Sequence, residues 1–313
     1  MSTRRQFIGQ SAAMFAGSTL LTAGGWSLAQ AAGAAASEGT MLKRIIPSSG
    51  EAVPAIGMGT SGSFEITPGG PEYQALKDVL KRFFDGGATL IDTAPTYSNA
   101  EDVLGPLLAD AKLRPKAFIA TKLSGVVGRE RGLAQFQQSL KSLRTDKVEL
   151  LQVHNLGDWK TQIEVARELK AQGKVKYVGV THYLERAQDE LADVVQATKP
   201  DFLQINYSIT QRGAEKRVLP MAKDLGVAVL ANRNFDDGSL FNRVKGKELP
   251  AWAASVGVAS WAQMFLKFAL SHPAVTVVIP ATGKPERQTD NLQAGFGPLL
   301  NEAQKAELIK LVA

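Results

Sequence analysis

Four side chains in this chain have the types and spacing needed for acid–base work on a carbonyl group. The apolar run at 88–91 ends in Asp92, and Tyr97 follows five residues later. The run at 117–121 ends in Lys122, and the run at 148–153 ends in His154. If these runs are parallel strands of one barrel, Asp92, Tyr97, Lys122 and His154 gather at one rim. Reducing a carbonyl requires a hydride on carbon and a proton on oxygen, and Tyr97 is the candidate proton donor. A free phenol, with a pKa of about 10, is an inefficient acid or base near neutrality. A nearby Lys122 ammonium is expected to favour the phenolate and lower that value, while Asp92 keeps Lys122 charged and in place. His154 is expected to hydrogen-bond the substrate oxygen and orient the carbonyl. None of the four carries a hydride, so the chemistry requires a nicotinamide cofactor. Taken singly, each has a plainer role: a turn aspartate, a packed tyrosine, a solvated lysine, a core histidine. Four suitable types at three successive strand ends favour a site.

The elements that must position these residues alternate along the chain. Residues 41–53 read as a small hairpin with its turn at 48–51. Strands are expected near 55–58, 88–92, 117–121, 148–153, 175–180, 201–206, 227–231 and 275–279. Helices are expected near 71–85, 99–109, 130–143, 160–171, 184–196, 214–224, 256–270 and 285–293, with a last one at 301–312. Glycines punctuate several helix ends: Gly86-Gly87, Gly173 and Gly226. Eight strand–helix units in about 250 residues predict an α/β fold, a (β/α)8 TIM barrel with an N-terminal β-hairpin. A doubly wound sheet would need a phosphate loop opening a helix in its first unit. Gly57-Met58-Gly59-Thr60-Ser61-Gly62 runs into a polar stretch instead. The longest irregular piece, 235–254, is expected to be a lid or cofactor belt on the catalytic face.

Residues 1–36 are expected to lie outside the fold. Thr3-Arg4-Arg5-Gln6-Phe7-Ile8 has a twin-arginine signature, followed by a modestly apolar stretch rich in Gly, Ala and Ser. Ala29-Gln30-Ala31 and Ala34-Ala35-Ala36 are candidate cleavage sites. The predicted partner is the Tat export machinery, the predicted location periplasmic, and no stable membrane span is expected. The domain from 37 to 313 is then the barrel. Removing Arg4 and Arg5 leaves 34 Lys+Arg against 30 Asp+Glu, a mild and scattered excess that argues against nucleic-acid binding. The chain has no cysteine, which excludes disulfides and thiolate metal sites, and no metal is expected.

The ordered set Asp92, Tyr97, Lys122 and His154 resembles the aldo-keto reductase family. The context resembles it too, in 90–94, 97–101, Val178-Gly179-Val180-Thr181-His182-Tyr183, Leu203-Gln204-Ile205-Asn206-Tyr207 and Val278-Ile279-Pro280. The match extends over about residues 43–295. The resemblance implies that Thr181, His182 and Gln204 hold a nicotinamide carboxamide, with His182 in place of the usual Asn. It places Thr282 and Arg287 at a 2′-phosphate and Asp290 and Asn291 at adenine. The usual Lys after Ile-Pro is Ala281 here, with Lys284 nearby, so NADPH is the implied cofactor. A planar, permanently charged guanidinium suits phosphate. Asn232 stands where the family commonly stacks an aromatic ring on nicotinamide, and Arg233 or Phe235 is expected to substitute for it.

Substrate identity is less legible. Three positions often tryptophan in the family's pocket match Ser61, Ser124 and Asn155, which implies a wider and more polar site. The chain stops at Ala313, so no C-terminal covering loop is expected and the cleft should be open or closed by 235–254 or another subunit. The leading reading is an exported NADPH-dependent reductase of aldehydes or ketones with a broad range. Two alternatives remain: alcohol or sugar oxidation by tightly bound NADP, and a non-catalytic cofactor-bound redox sensor or auxiliary subunit.

Overall fold

The computed structural model describes residues 39–313. The twin-arginine leader and both candidate cleavage sites lie outside the described residues. Strands β1 (Lys43–Ile45) and β2 (Ala52–Pro54) form the antiparallel hairpin. Eight parallel strands follow: β3 (Met58–Gly59), β4 (Leu90–Asp92), β5 (Phe118–Leu123), β6 (Val148–His154), β7 (Val175–His182), β8 (Phe202–Asn206), β9 (Ala228–Asn232) and β10 (Val275–Val278). Each pairs with its sequence neighbour. Parallel bridges from Ile56 to Val278 and from Gly59 to Ala281 join the first strand region to the last. The result is the expected (β/α)8 barrel.

Between and after the strands lie α1 (Pro71–Asp85), α2 (Ala100–Asp110), α3 (Arg129–Ser142), α4 (Trp159–Ala171), α5 (Gln188–Thr198), α6 (Val218–Asp224), α7 (Ser239–Arg243), α8 (Trp261–Leu270), α9 (Pro285–Gln293) and α10 (Glu302–Val312). Pro71 and Pro285 open their helices, where a missing N–H costs nothing. Asn301 and Gln304 form a capping box on α10. Among the described residues, no helix is long and apolar enough to cross a membrane.

Strand alternation sorts the barrel interior into layers. Leu90, Phe118, Leu150, Tyr177, Phe202 and Leu230 belong to one buried apolar cluster, which Ile46 and Val53 of the hairpin region complete. Tyr177 anchors that plug, donating its hydroxyl to Ser49 Oγ at 2.7 Å and Glu51 Oε2 at 2.6 Å. Two residues further along their strands come Asp92, Gln204 and Asn232, the same side of the pleat one layer nearer the C-terminal mouth. Lys122 and His154 lie four residues beyond Phe118 and Leu150, so they also share the inward side. Gly179 makes room for this polar layer. A Cβ there would stand 2.9 Å from Gln152 Cγ and 3.1 Å from the Phe202 carbonyl oxygen.

Some boundaries differ from expectation. Helix α8 starts at 261, not 256, because residues 253–256 form a separate 3-10 turn that Gly257 ends at φ 69°. Helix α6 likewise starts at 218, after a 3-10 turn at 213–215, and α5 starts at 188, after one at 185–187. The 235–254 segment is not wholly irregular, since it holds a 3-10 turn at 236–238 and then α7.

Candidate active site

Asp92 is the hub of a buried network at the barrel mouth. Lys122 Nζ donates to Asp92 Oδ2 at 2.8 Å and to the Thr93 carbonyl at 2.8 Å. Gln204 Nε2 and Gln152 Nε2 both donate to Asp92 Oδ1, at 2.7 and 3.2 Å. Asp92 is 3% exposed and Lys122 1%, so this ion pair is shielded from water. Burial alone pushes Lys122 down, but Asp92 and Tyr97 outweigh it and the net direction is up. The side chain stays cationic.

Tyr97 reaches this pair from the turn between β4 and α2. Its N–H donates to the Ala94 carbonyl, its own carbonyl accepts from Ala100, and Ser98 takes a left-handed φ of 46°. The Lys122 ammonium lies 4.8 Å from the Tyr97 ring centroid. The Tyr97 ring stands edge-on to His154, with 6.0 Å between centroids. Burial is the largest influence on the phenol and raises its pKa, while Lys122 pulls the other way and loses. This corrects the expectation of a lowered value. Tyr97 stays protonated at neutral pH, the form an acid needs.

His154 is held from behind. Its Nδ1 lies 2.6 Å from Ser124 Oγ and 3.5 Å from Thr96 Oγ1. Burial, then the charges of Lys122 and His182, push the imidazole down to about 3, so it is neutral near pH 7. Ser124 was expected in the pocket wall. It is 3% exposed and bonded to His154, while Ser61 and Asn155 do line the cavity.

The four residues border a cavity of about 660 Å³, with Asp92, Tyr97 and His154 in its wall and Lys122 directly beneath. A second cavity of about 510 Å³ adjoins it and shares Phe235, Phe241, Ala281 and Arg287 with the first. Together they make a groove from the barrel mouth to α9. Thr181, Gln204, Asn232 and Arg233 line the first lobe, and Thr282, Asp290 and Asn291 the second, with Arg287 at the junction. Thr181 Oγ1 donates to Gln204 Oε1 at 3.1 Å, and Asn232 Nδ2 approaches the same oxygen at 3.4 Å. Asn232 Oδ1 is buried without a partner among the described residues, an acceptor aimed at nothing. It suits an amide donor such as a carboxamide.

Other assigned residues sit differently from expectation. His182 lines neither lobe. Thr181 faces inward, so its strand neighbour turns away, and His182 Nδ1 accepts from Leu184 N at 3.1 Å. Asp290 spends both carboxylate oxygens on α8, accepting from Ser260 Oγ at 2.7 Å and Gln263 Nε2 at 2.6 Å. Lys284 is the exposed N-cap of α9 and lines neither lobe, although its N–H donates to Thr282 Oγ1 at 3.1 Å. Arg233, at φ 53°, pairs with Asp237 and lies 5.1 Å over the Tyr183 ring. Sequence reasoning missed Tyr183, Phe241 and Trp261 in the groove. The Ser260-x-x-Gln263 spacing at the true start of α8 was a signal for the last, since Ser260 caps Gln263 N.

The model of the Aldo/keto reductase family matches residues 55–312. The chain belongs to that family. Aldo-keto reductase YhdN of Bacillus subtilis (strain 168) is 31% identical over 190 residues, covering 56% of this chain and 56% of that protein. The chain therefore spans little more than half the length of that relative in the match. Morphine 6-dehydrogenase of Pseudomonas putida is 28% identical over 273 residues, covering 84% of this chain and 88% of the enzyme. An aldo-keto reductase of Klebsiella pneumoniae, solved in complex with NADPH, superposes with a TM-score of 0.73 at 26% identity, over 87% of this chain and 96% of that one. Among the described residues of this aldo/keto reductase, no group of three or more His, Asp or Glu side chains is placed to hold a metal.

Proposed function

We infer that this aldo/keto reductase is an NADPH-dependent oxidoreductase that reduces aldehydes or ketones to alcohols. The observation that carries this reading is the convergence of Tyr97, His154 and the buried Asp92–Lys122 pair on one lobe of a two-lobed groove. Bound NADPH supplies the hydride. Neutral His154 orients the carbonyl by a hydrogen bond to its oxygen. Protonated Tyr97 delivers its proton to that oxygen as negative charge builds. Lys122, kept cationic by Asp92, steadies the phenolate left behind.

Asn232, Thr181 and Gln204 would hold the carboxamide, and the unpartnered Asn232 Oδ1 supports that fit. Helix α9 borders the second lobe through Arg287, Asp290 and Asn291, and Thr282 and Arg287 would hold phosphate there. Among the described residues Arg287 has no acidic partner, so its guanidinium is available. Glu286 shares the first turn of α9 and is exposed, which leaves it in solvent.

Titration with NADPH and NADH by tyrosine and tryptophan fluorescence tests the cofactor. NADPH should bind more tightly, and Arg287→Ala should weaken it by about 10-fold or more, the value of a charge-assisted contact, with little effect on NADH. Absence of binding by either nucleotide would remove the reading. Ser61 and Asn155 in the wall favour small polar carbonyls over one bulky apolar aldehyde, and a substrate panel showing a steep preference for the latter would refute that.

Export by the twin-arginine route completes the proposal. It rests on Arg4-Arg5 and the Gly/Ala-rich stretch behind them. Fractionation of cells expressing the full chain should place the protein in the periplasm, and the Arg4→Lys, Arg5→Lys double variant should remain in the cytoplasm.

A further inference from the structure

We propose that Ser124 is a positioning residue that fixes His154 as the Nε2–H tautomer, aiming its single proton at the substrate oxygen. The proposal rests on the reading of His154 as the carbonyl's hydrogen-bond donor. A carbonyl oxygen only accepts hydrogen bonds, so a neutral imidazole serves it through a protonated nitrogen alone. Nδ1 faces Ser124 Oγ at 2.6 Å, which leaves Nε2 as the nitrogen for the cavity.

The bonding around Ser124 selects the tautomer. Oγ has no other hydrogen-bond partner among the described residues, and Ser124 is 3% exposed. If Nδ1 carried the proton and donated to Oγ, the hydroxyl proton would be left without an acceptor in a buried place. If the hydroxyl donates to Nδ1, both groups are satisfied and the proton of His154 sits on Nε2. The exposed Thr96 Oγ1, at 3.5 Å, is at the outer limit of hydrogen bonding and is the lesser contact. Ser124 cannot drift from its post. Its N–H donates to Gln135 Oε1 at 2.7 Å and its carbonyl accepts from Gln135 Nε2 at 2.9 Å. One amide from α3 thus clips both backbone groups of the residue that follows β5. The imidazole also stays neutral, held down by burial and by Lys122, so the choice of tautomer is not erased by a second proton.

The chain has three histidines, so long-range 1H–15N correlation spectra resolve each ring, and His154→Gln assigns the signal that disappears. Wild type should show the Nε2–H pattern for His154. Ser124→Ala should show the Nδ1–H form or a mixture of the two, with kcat for a carbonyl substrate down at least about 10-fold and KM for NADPH unchanged. Ser124→Thr, which keeps the hydroxyl, should retain both the pattern and the rate. An Nδ1–H pattern in wild type overturns the proposal without any variant needing to fold. So does an unchanged pattern in Ser124→Ala while His154→Gln loses activity, which leaves the role of His154 standing. A changed tautomer with unchanged kcat overturns the role of His154 itself and the positioning role with it.

Discussion

Replacing Asp92 by Asn should be among the most damaging isosteric changes in this protein. Every neighbour of the carboxylate is a donor: Lys122 Nζ on Oδ2, and Gln204 Nε2 and Gln152 Nε2 on Oδ1. An amide NH2 in either position would face donors only. The substitution also strips the counter-charge from an ammonium that is 1% exposed. Removing one partner of a buried pair costs about 3–5 kcal/mol, because the other charge stays buried and unpaired. For a domain of this size Tm moves by about 2 °C or more per kcal/mol, so Asp92→Asn should melt about 6–10 °C lower. Equilibrium urea unfolding of wild type, Asp92→Asn, Lys122→Met and the double variant measures the coupling. Since Lys122→Met removes the stranded charge, the double variant should be more stable than the two single losses predict by at least about 2 kcal/mol. A loss below about 1 kcal/mol for Asp92→Asn, or additivity within about 0.5 kcal/mol, would refute the buried-pair account.

Two further outcomes follow from other parts of the molecule. The folded state holds His154 at about 3 against an ordinary 6.5, so the unfolded chain takes up a proton first as pH falls. This group therefore costs nothing above pH 6.5 and erodes stability progressively down to about pH 3, by about 2 kcal/mol at pH 5. Urea unfolding at pH 8 and pH 5 should show His154→Gln losing about that much less than wild type. Lys267 is fully buried and donates to the carbonyls of Val256, Phe296 and Pro298, tying the turn before α8 to the segment after α9. Lys267→Met leaves three acceptors without their donor and should cost about 2–4 kcal/mol, read by thermal unfolding.

The positions of Asp92, Lys122 and His154 were legible because each ends an apolar strand on its inward side. Strand alternation then sends all three to the inward side at the barrel mouth. Element type was legible wherever the period ran long, as in α1 and α9, whose expected spans of 71–85 and 285–293 match. Starts that depend on a short 3-10 turn, at 213–215 and 253–256, carry the same apolar spacing as the helix they precede and merged with it. The direction of the Tyr97 shift was not legible, since burial and the Lys122 charge oppose each other and only packing sets their balance. Nor was the contact of Ser124 with His154, which joins residues 30 apart through register between two strands. The side of β7 that His182 takes was not legible either, since its Nδ1 accepts from Leu184 N in the turn that follows the strand.

The central claim is that Tyr97 protonates a carbonyl oxygen in a site that uses NADPH. Following NADPH consumption with a small aldehyde, for wild type and Tyr97→Phe, tests it most directly. Wild type should turn over one NADPH per alcohol formed. Tyr97→Phe should bind NADPH as wild type does yet reduce the aldehyde about 10²-fold to 10⁴-fold more slowly, the contribution of a positioned acid. Equal turnover by the two proteins, or none by wild type despite bound NADPH, would contradict the account.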